Sequence, residues 1–148
     1  MSSNVEISRE ELKVLADNEI SAVAKYKVDL EKIAQELYSA ATILSEIRYR
    51  EIEQRLVGMY TFVNGAYKTL DALVDNLEVT HYCNIRTKAE IDSVKFVSEA
   101  TSRESRAYTK DLHIALAELE SLVDHINQTL CTARGHRYAE KTETKHYK

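Results

Sequence analysis

This chain of 148 residues contains no proline, and its only glycines are Gly58, Gly65 and Gly135. Proline lacks a backbone N–H and clashes with the preceding helical turn. Glycine weakens a helix interior by about 1 kcal/mol relative to alanine. With one absent and the other rationed, little in the backbone interrupts a helix. Helix ends must then be set by capping residues and by the phase of the apolar pattern.

Ser8-Arg9-Glu10-Glu11 is a capping box, in which the Ser8 hydroxyl and the Glu11 carboxylate each satisfy an orphan backbone N–H. It leaves residues 1–7 as an N-terminal arm. Ile7 and Leu12 flank it with the spacing of a hydrophobic staple. Val23, Tyr26, Leu30, Ile33, Leu37, Ala40, Leu44 and Ile47 then step by three and four residues, a coiled-coil seam. A second register begins at Leu56 and runs through Met59, Val63, Ala66, Leu70, Leu73 and Leu77. The phase change between the two predicts a bend or an exposed stretch over residues 48–58 of one long helical arm, residues 8–79.

His81-Tyr82-Cys83-Asn84 carries no apolar helical stripe, which predicts a loop over residues 80–86. Thr87-Lys88-Ala89-Glu90 has the form of a second capping box and opens a predicted helix over 87–134. Tyr108, Leu112, Ala115, Leu119, Leu122 and Ile126 give that helix heptad spacing, and Gly135 suits a C′ glycine at its end. Residues 135–148 form a polar, basic tail. The expected fold is all-α: a long antiparallel helical hairpin or coiled-coil bundle. The first arm exceeds the second, so its surplus seam must fold back as a third helix or pair with another chain. Exposed apolar stripe favours association, and a homo-oligomer is expected to complete the bundle. Its seam residues would be Leu30, Ile33, Leu37, Leu44, Leu56, Val63, Leu70, Leu73 and Leu77.

Charged residues make up 30% and apolar residues 44% of the chain, a balance unlike that of membrane or disordered proteins. No run approaches the length of a membrane span, and the first residues lack the basic and apolar pattern of a leader peptide. The expectation is a cytoplasmic or otherwise intracellular protein with no membrane partner. Cys83 and Cys131 read as two free thiols rather than a disulfide framework. No nucleophile elbow, phosphate-binding glycine loop or Glu-x-x-His pair occurs. The chain therefore reads as non-enzymatic, with no cofactor and no metal.

Basic side chains are unevenly placed. They gather around Arg48, Arg50 and Arg55, around Arg103, Arg106 and Lys110, and from Arg134 onward, whereas residues 111–133 carry acidic charge alone. Tyr49 lies between two arginines, and Tyr138 follows Arg137. A cation beside an exposed ring can neutralise phosphate while the ring stacks on a base. Candidate nucleic-acid-binding residues are therefore Arg48, Tyr49, Arg50, Arg55, Arg134, Arg137 and Tyr138. The competing interpretation is a solvated charged face on a structural or protein-binding coiled coil, an assembly or adaptor subunit. The two differ in whether the arginines are open to solvent or engaged by nearby carboxylates.

Ala24-Lys25-Tyr26, Ser45-Glu46, Tyr49-Arg50, Arg55, Tyr60 and Asn64-Gly65 together resemble the first part of phage recombination-mediator proteins of the UvsY type. The second part would be Glu90-Ile91, Leu112, Leu119, Leu122 and Arg134-Gly135. The similarity covers residues 24–138 in generic residue types, with spacings that differ and helices several residues longer here. It implies a small helical protein that forms ring-like oligomers, binds single-stranded DNA and helps to load a partner recombinase.

Overall fold

The computed structural model describes residues 6–39 and 44–146, with side chains through residue 139. Among the described residues are four helices and no strand, so the fold is all-α. The helices are α1 (Arg9–Tyr38), α2 (Glu46–Ile91), α3 (Ser98–Tyr108) and α4 (Lys110–His146).

The capping box opens α1 as its sequence requires, with Ser8 Oγ accepting the Glu11 N–H at 3.2 Å. Ser45 caps α2 in the same way, accepting the Arg48 N–H at 3.2 Å. The long arm is thus two helices, and the interruption comes before Glu46 rather than at 48–58. Tyr49 and Ile52 lie one heptad ahead of Leu56 and Met59, so the second register already begins at Tyr49. Both residues are buried, whereas Ile47 of the supposed first seam is 73% exposed.

The loop expected at 80–86 is helical, since α2 continues to Ile91. Its end is a Schellman turn. The Val94 N–H reaches the Ala89 carbonyl at 2.9 Å and the Ser93 N–H reaches the Glu90 carbonyl at 3.3 Å. Ser93 takes φ 53°, the left-handed conformation for which glycine is usual at that position. Thr87-Lys88-Ala89-Glu90 therefore belongs to the last turns of α2 and opens nothing. The single helix expected over 87–134 is replaced by α3 and α4, parted at Thr109. Gly135 does not end α4: it has no positive φ, and the helix continues to His146. Of the expected basic tail, the side chains from residue 140 on and residues 147–148 lie outside the described residues, as do residues 1–5 of the N-terminal arm.

The chain forms two compact units. One comprises Met1–Ile20 and Tyr67–Glu118. Its core takes Leu12 and Ala16 from α1, Leu70 and Val74 from α2, and Leu112, Ala115 and Leu116 from α4. Alongside these apolar groups it buries His81, Thr101, Ser105 and Thr109. The other unit comprises Ser21–Ala66 and Leu119–Lys148. Here Leu30 and Ile33 of α1, Ile52, Leu56 and Val63 of α2, and Leu119 and Ile126 of α4 are almost wholly removed from solvent. In this unit Glu36 pairs with Arg48, Asp29 with Arg55, and the Tyr26 ring meets Phe62. Numbers fall along α1 as they rise along α2, so these two segments run antiparallel.

Most of the residues expected to form an oligomer seam are buried within the single chain. Leu30, Ile33, Leu37, Leu56, Val63 and Leu70 are buried, and Leu44, Leu73 and Leu77 are half-buried.

Candidate functional site

The arginine-rich start of α2 lies in the second of these units, and its charges are paired. Arg48 grips Glu36 through two nitrogens, Nε to Oε1 at 2.7 Å and Nη2 to Oε2 at 2.6 Å. This fork matches guanidinium to carboxylate geometry. A third nitrogen of Arg48 reaches Glu51 at 3.1 Å. Arg50 pairs with Glu46 at 3.2 Å, and Arg55 with Asp29 at 3.6 Å. Arg137 on α4 reaches Glu53 on α2 at 2.5 Å. Of the other predicted contacts, Arg134 and Tyr138 are exposed. Tyr49 is only 4% exposed, so its ring cannot stack on a base without leaving the core.

The electrostatics agree with the geometry. Hydrogen bonds from Arg48 hold the Glu36 carboxyl below its usual range, against the opposing push of partial burial. The Arg48 guanidinium is in turn held still more firmly protonated by its hydrogen bonds to Glu36 and then Glu51. Of the seven residues that sequence patterning assigned to nucleic acid, one is buried and four are engaged by carboxylates. The structure does bring Arg137 to the arginine-rich segment, through Glu53.

A second polar cluster, in the first unit, carries no motif in the sequence. His81 is buried on α2, and its Nδ1 shares a hydrogen bond with Ser105 Oγ of α3 at 3.0 Å. Its ring stacks on Tyr108, with centroids 4.3 Å apart and planes within 11°. The Tyr108 hydroxyl donates to the Ile7 carbonyl. Thr109 Oγ1 donates to Glu78 at 2.7 Å, and His113 Nε2 meets the same carboxylate oxygen at 2.5 Å. Burial pushes the Glu78 carboxyl up, but the hydrogen bonds from His113 and Thr109 outweigh it and hold the group below the usual carboxylate range. Burial first, then the negative charges of Glu6 and Glu11, raise the Tyr108 phenol above its ordinary value.

Beside this cluster lies a cleft of about 370 Å³ lined by Glu6, Ile7, Leu77, Thr80, His81, Asn84 and Tyr108. The available signal was a continuation of phase: from Leu77, steps of four and three lead to His81 and Asn84, so the seam persists in polar residues.

Among the described residues no group of three or more His, Cys, Asp or Glu side chains is arranged to hold a metal ion. Cys83 and Cys131 are free and exposed. No described helix is long and apolar enough to cross a membrane. Compared with models of protein families, with curated proteins and with solved structures, the chain matches none.

Proposed function

We propose that the chain is a non-enzymatic helical subunit that works by binding protein, copies of itself included, rather than by binding nucleic acid. The observation that carries this reading is the pairing of Arg48, Arg50, Arg55 and Arg137 with Glu36, Glu46, Asp29 and Glu53. A phosphate backbone would have to displace those carboxylates, and the burial of Tyr49 removes the stacking partner. Apolar side chains are instead presented at the turn after α2, where Ile91, Val94 and Val97 are all exposed. Exposed apolar groups gathered on one short segment suit a protein contact.

Sedimentation velocity at micromolar concentration, with and without a labelled single-stranded oligonucleotide at low salt, tests the proposal. The expected result is a particle heavier than the 16.9 kDa chain and no co-sedimenting oligonucleotide. Binding that weakens steeply with salt would overturn it, particularly if joint replacement of Arg48, Arg50 and Arg55 by alanine flattened the slope by roughly 0.7 per lost phosphate contact. That outcome would restore the role of a recombination mediator acting on single-stranded DNA with a partner recombinase.

A further inference from the structure

We propose that the cleft lined by Glu6, Leu77, His81, Asn84 and Tyr108 is a binding site for a primary alkylammonium group, supplied by a lysine side chain or by a free aliphatic amine. The site does not depend on the protein-binding role above, because a small amine binds or fails to bind whatever the partners of the whole chain.

An ammonium group has three N–H donors and no acceptor, so it needs converging acceptors and a negative field. The cleft supplies both. Asn84 Nδ2 donates to Glu6 Oε1 at 3.2 Å, leaving the other carboxylate oxygen and the Asn84 carbonyl oxygen for a ligand. The Tyr108 hydroxyl gives its proton to the Ile7 carbonyl, so its oxygen can take part in a further hydrogen bond only as an acceptor. Among the described residues no lysine or arginine lines the cleft. The field is already felt by a resident group, since Glu6 and Glu11 add to burial in raising the Tyr108 phenol. Ile7 and Leu77 provide apolar wall for the methylene stem that carries an ammonium group, as lysine stems lie along apolar surface elsewhere. The volume, about 370 Å³, falls in the lower part of the usual range for ligand pockets.

The probe is n-butylammonium chloride, titrated into the full-length ¹⁵N-labelled chain and followed by amide chemical shifts. Sodium chloride at equal ionic strength and n-butanol serve as controls. Saturating shifts at Thr80, His81, Asn84 and Tyr108 with the ammonium salt alone are expected. Glu6→Gln should weaken binding roughly tenfold, as expected when a charged hydrogen-bond partner is lost. Asn84→Leu should also weaken it, and Glu10→Gln, an exposed carboxylate outside the cleft, should not. Shifts matched by sodium, or binding indifferent to Glu6→Gln, would overturn the site. N-acetyl-lysine amide and putrescine then separate the two sources. Tighter binding of the first points to a lysine of a partner protein and tighter binding of the second to a free diamine. Binding of neither also overturns the proposal.

Discussion

Truncating Tyr49 to alanine should destabilise the fold by about 3–5 kcal/mol, the usual cost of removing a buried aromatic ring. The ring is 4% exposed and sits one heptad ahead of the wholly buried Leu56. Tyr38→Ala is the comparison, since that ring is 66% exposed and should change stability by no more than about 0.5 kcal/mol. Urea denaturation of the two variants checks this, and equal midpoints would place Tyr49 outside the core. The residue also marks where sequence stops being informative about the site. An arginine on either side suggests a ring displayed for stacking, but helical phase turns neighbours in sequence to different faces. Glu51 and Glu46 lie within one turn of Arg48 and Arg50 and are legible as partners, but the partners on other helices are hidden. Glu36 lies twelve residues before Arg48, on another helix, and Glu53 is 84 residues from Arg137. Residue types and spacing reveal the charge cluster, and only the packing of helices reveals that Glu36, Asp29 and Glu53 lie against it.

Among the helices, α3 is held differently from its neighbours. Its buried side chains are Thr101 and Ser105, with no buried aliphatic among them. It is fastened by the bond from Ser105 to His81, by Tyr108 stacked on the same imidazole, and at its end by the contact of Thr109 with Glu78. Hydrogen bonds of this kind contribute about 1 kcal/mol each, so α3 lacks the apolar burial that gives other helices most of their stability. Its amides should exchange with solvent faster than those of residues 112–126 in α4, where Leu112, Ala115, Leu119 and Ile126 are fully buried. Hydrogen exchange followed by mass spectrometry checks this, and equal protection would show α3 opening only with the whole unit. The same chemistry explains which elements could be read in advance. The helices with aliphatic seams, and the start of α1 at Ser8, follow from periodicity and capping. The span 80–86 looked like a loop because its seam is polar, His81 answering Ser105. The turn fell at 92–97 without glycine or proline to mark it, because Ser93 accepts the left-handed conformation. The break before Glu46 was obscured because Leu44 and Ile47 extend the apolar spacing of α1 across it.

For the molecule as a whole, acid should be the condition that separates folded from unfolded most sharply. Glu36 in one unit and Glu78 in the other both have carboxyls held below their ordinary value of 4.5. A group whose affinity for protons is lower in the folded state than in the unfolded state stabilises the fold wherever it is ionised. That contribution is complete above the unfolded value and is lost as pH falls through the lower folded one. The urea midpoint should therefore hold level down to about pH 5 and decline below about pH 4.5. For Glu36 the dominant cause is its hydrogen bonding with Arg48, so Glu36→Gln should be less stable than the wild type at pH 7. As pH falls the wild-type carboxyl is protonated and loses the same interaction, so the two midpoints should converge. Exposed pairs such as Arg50 with Glu46 add little to this trend because solvent screens them. Moderate salt should accordingly leave most of the difference at pH 7 in place. A difference between wild type and Glu36→Gln that persisted unchanged at pH 3 would show that the variant disturbs packing rather than an ion pair. It would also remove Arg48 and Glu36 from the account of what holds α1 to α2.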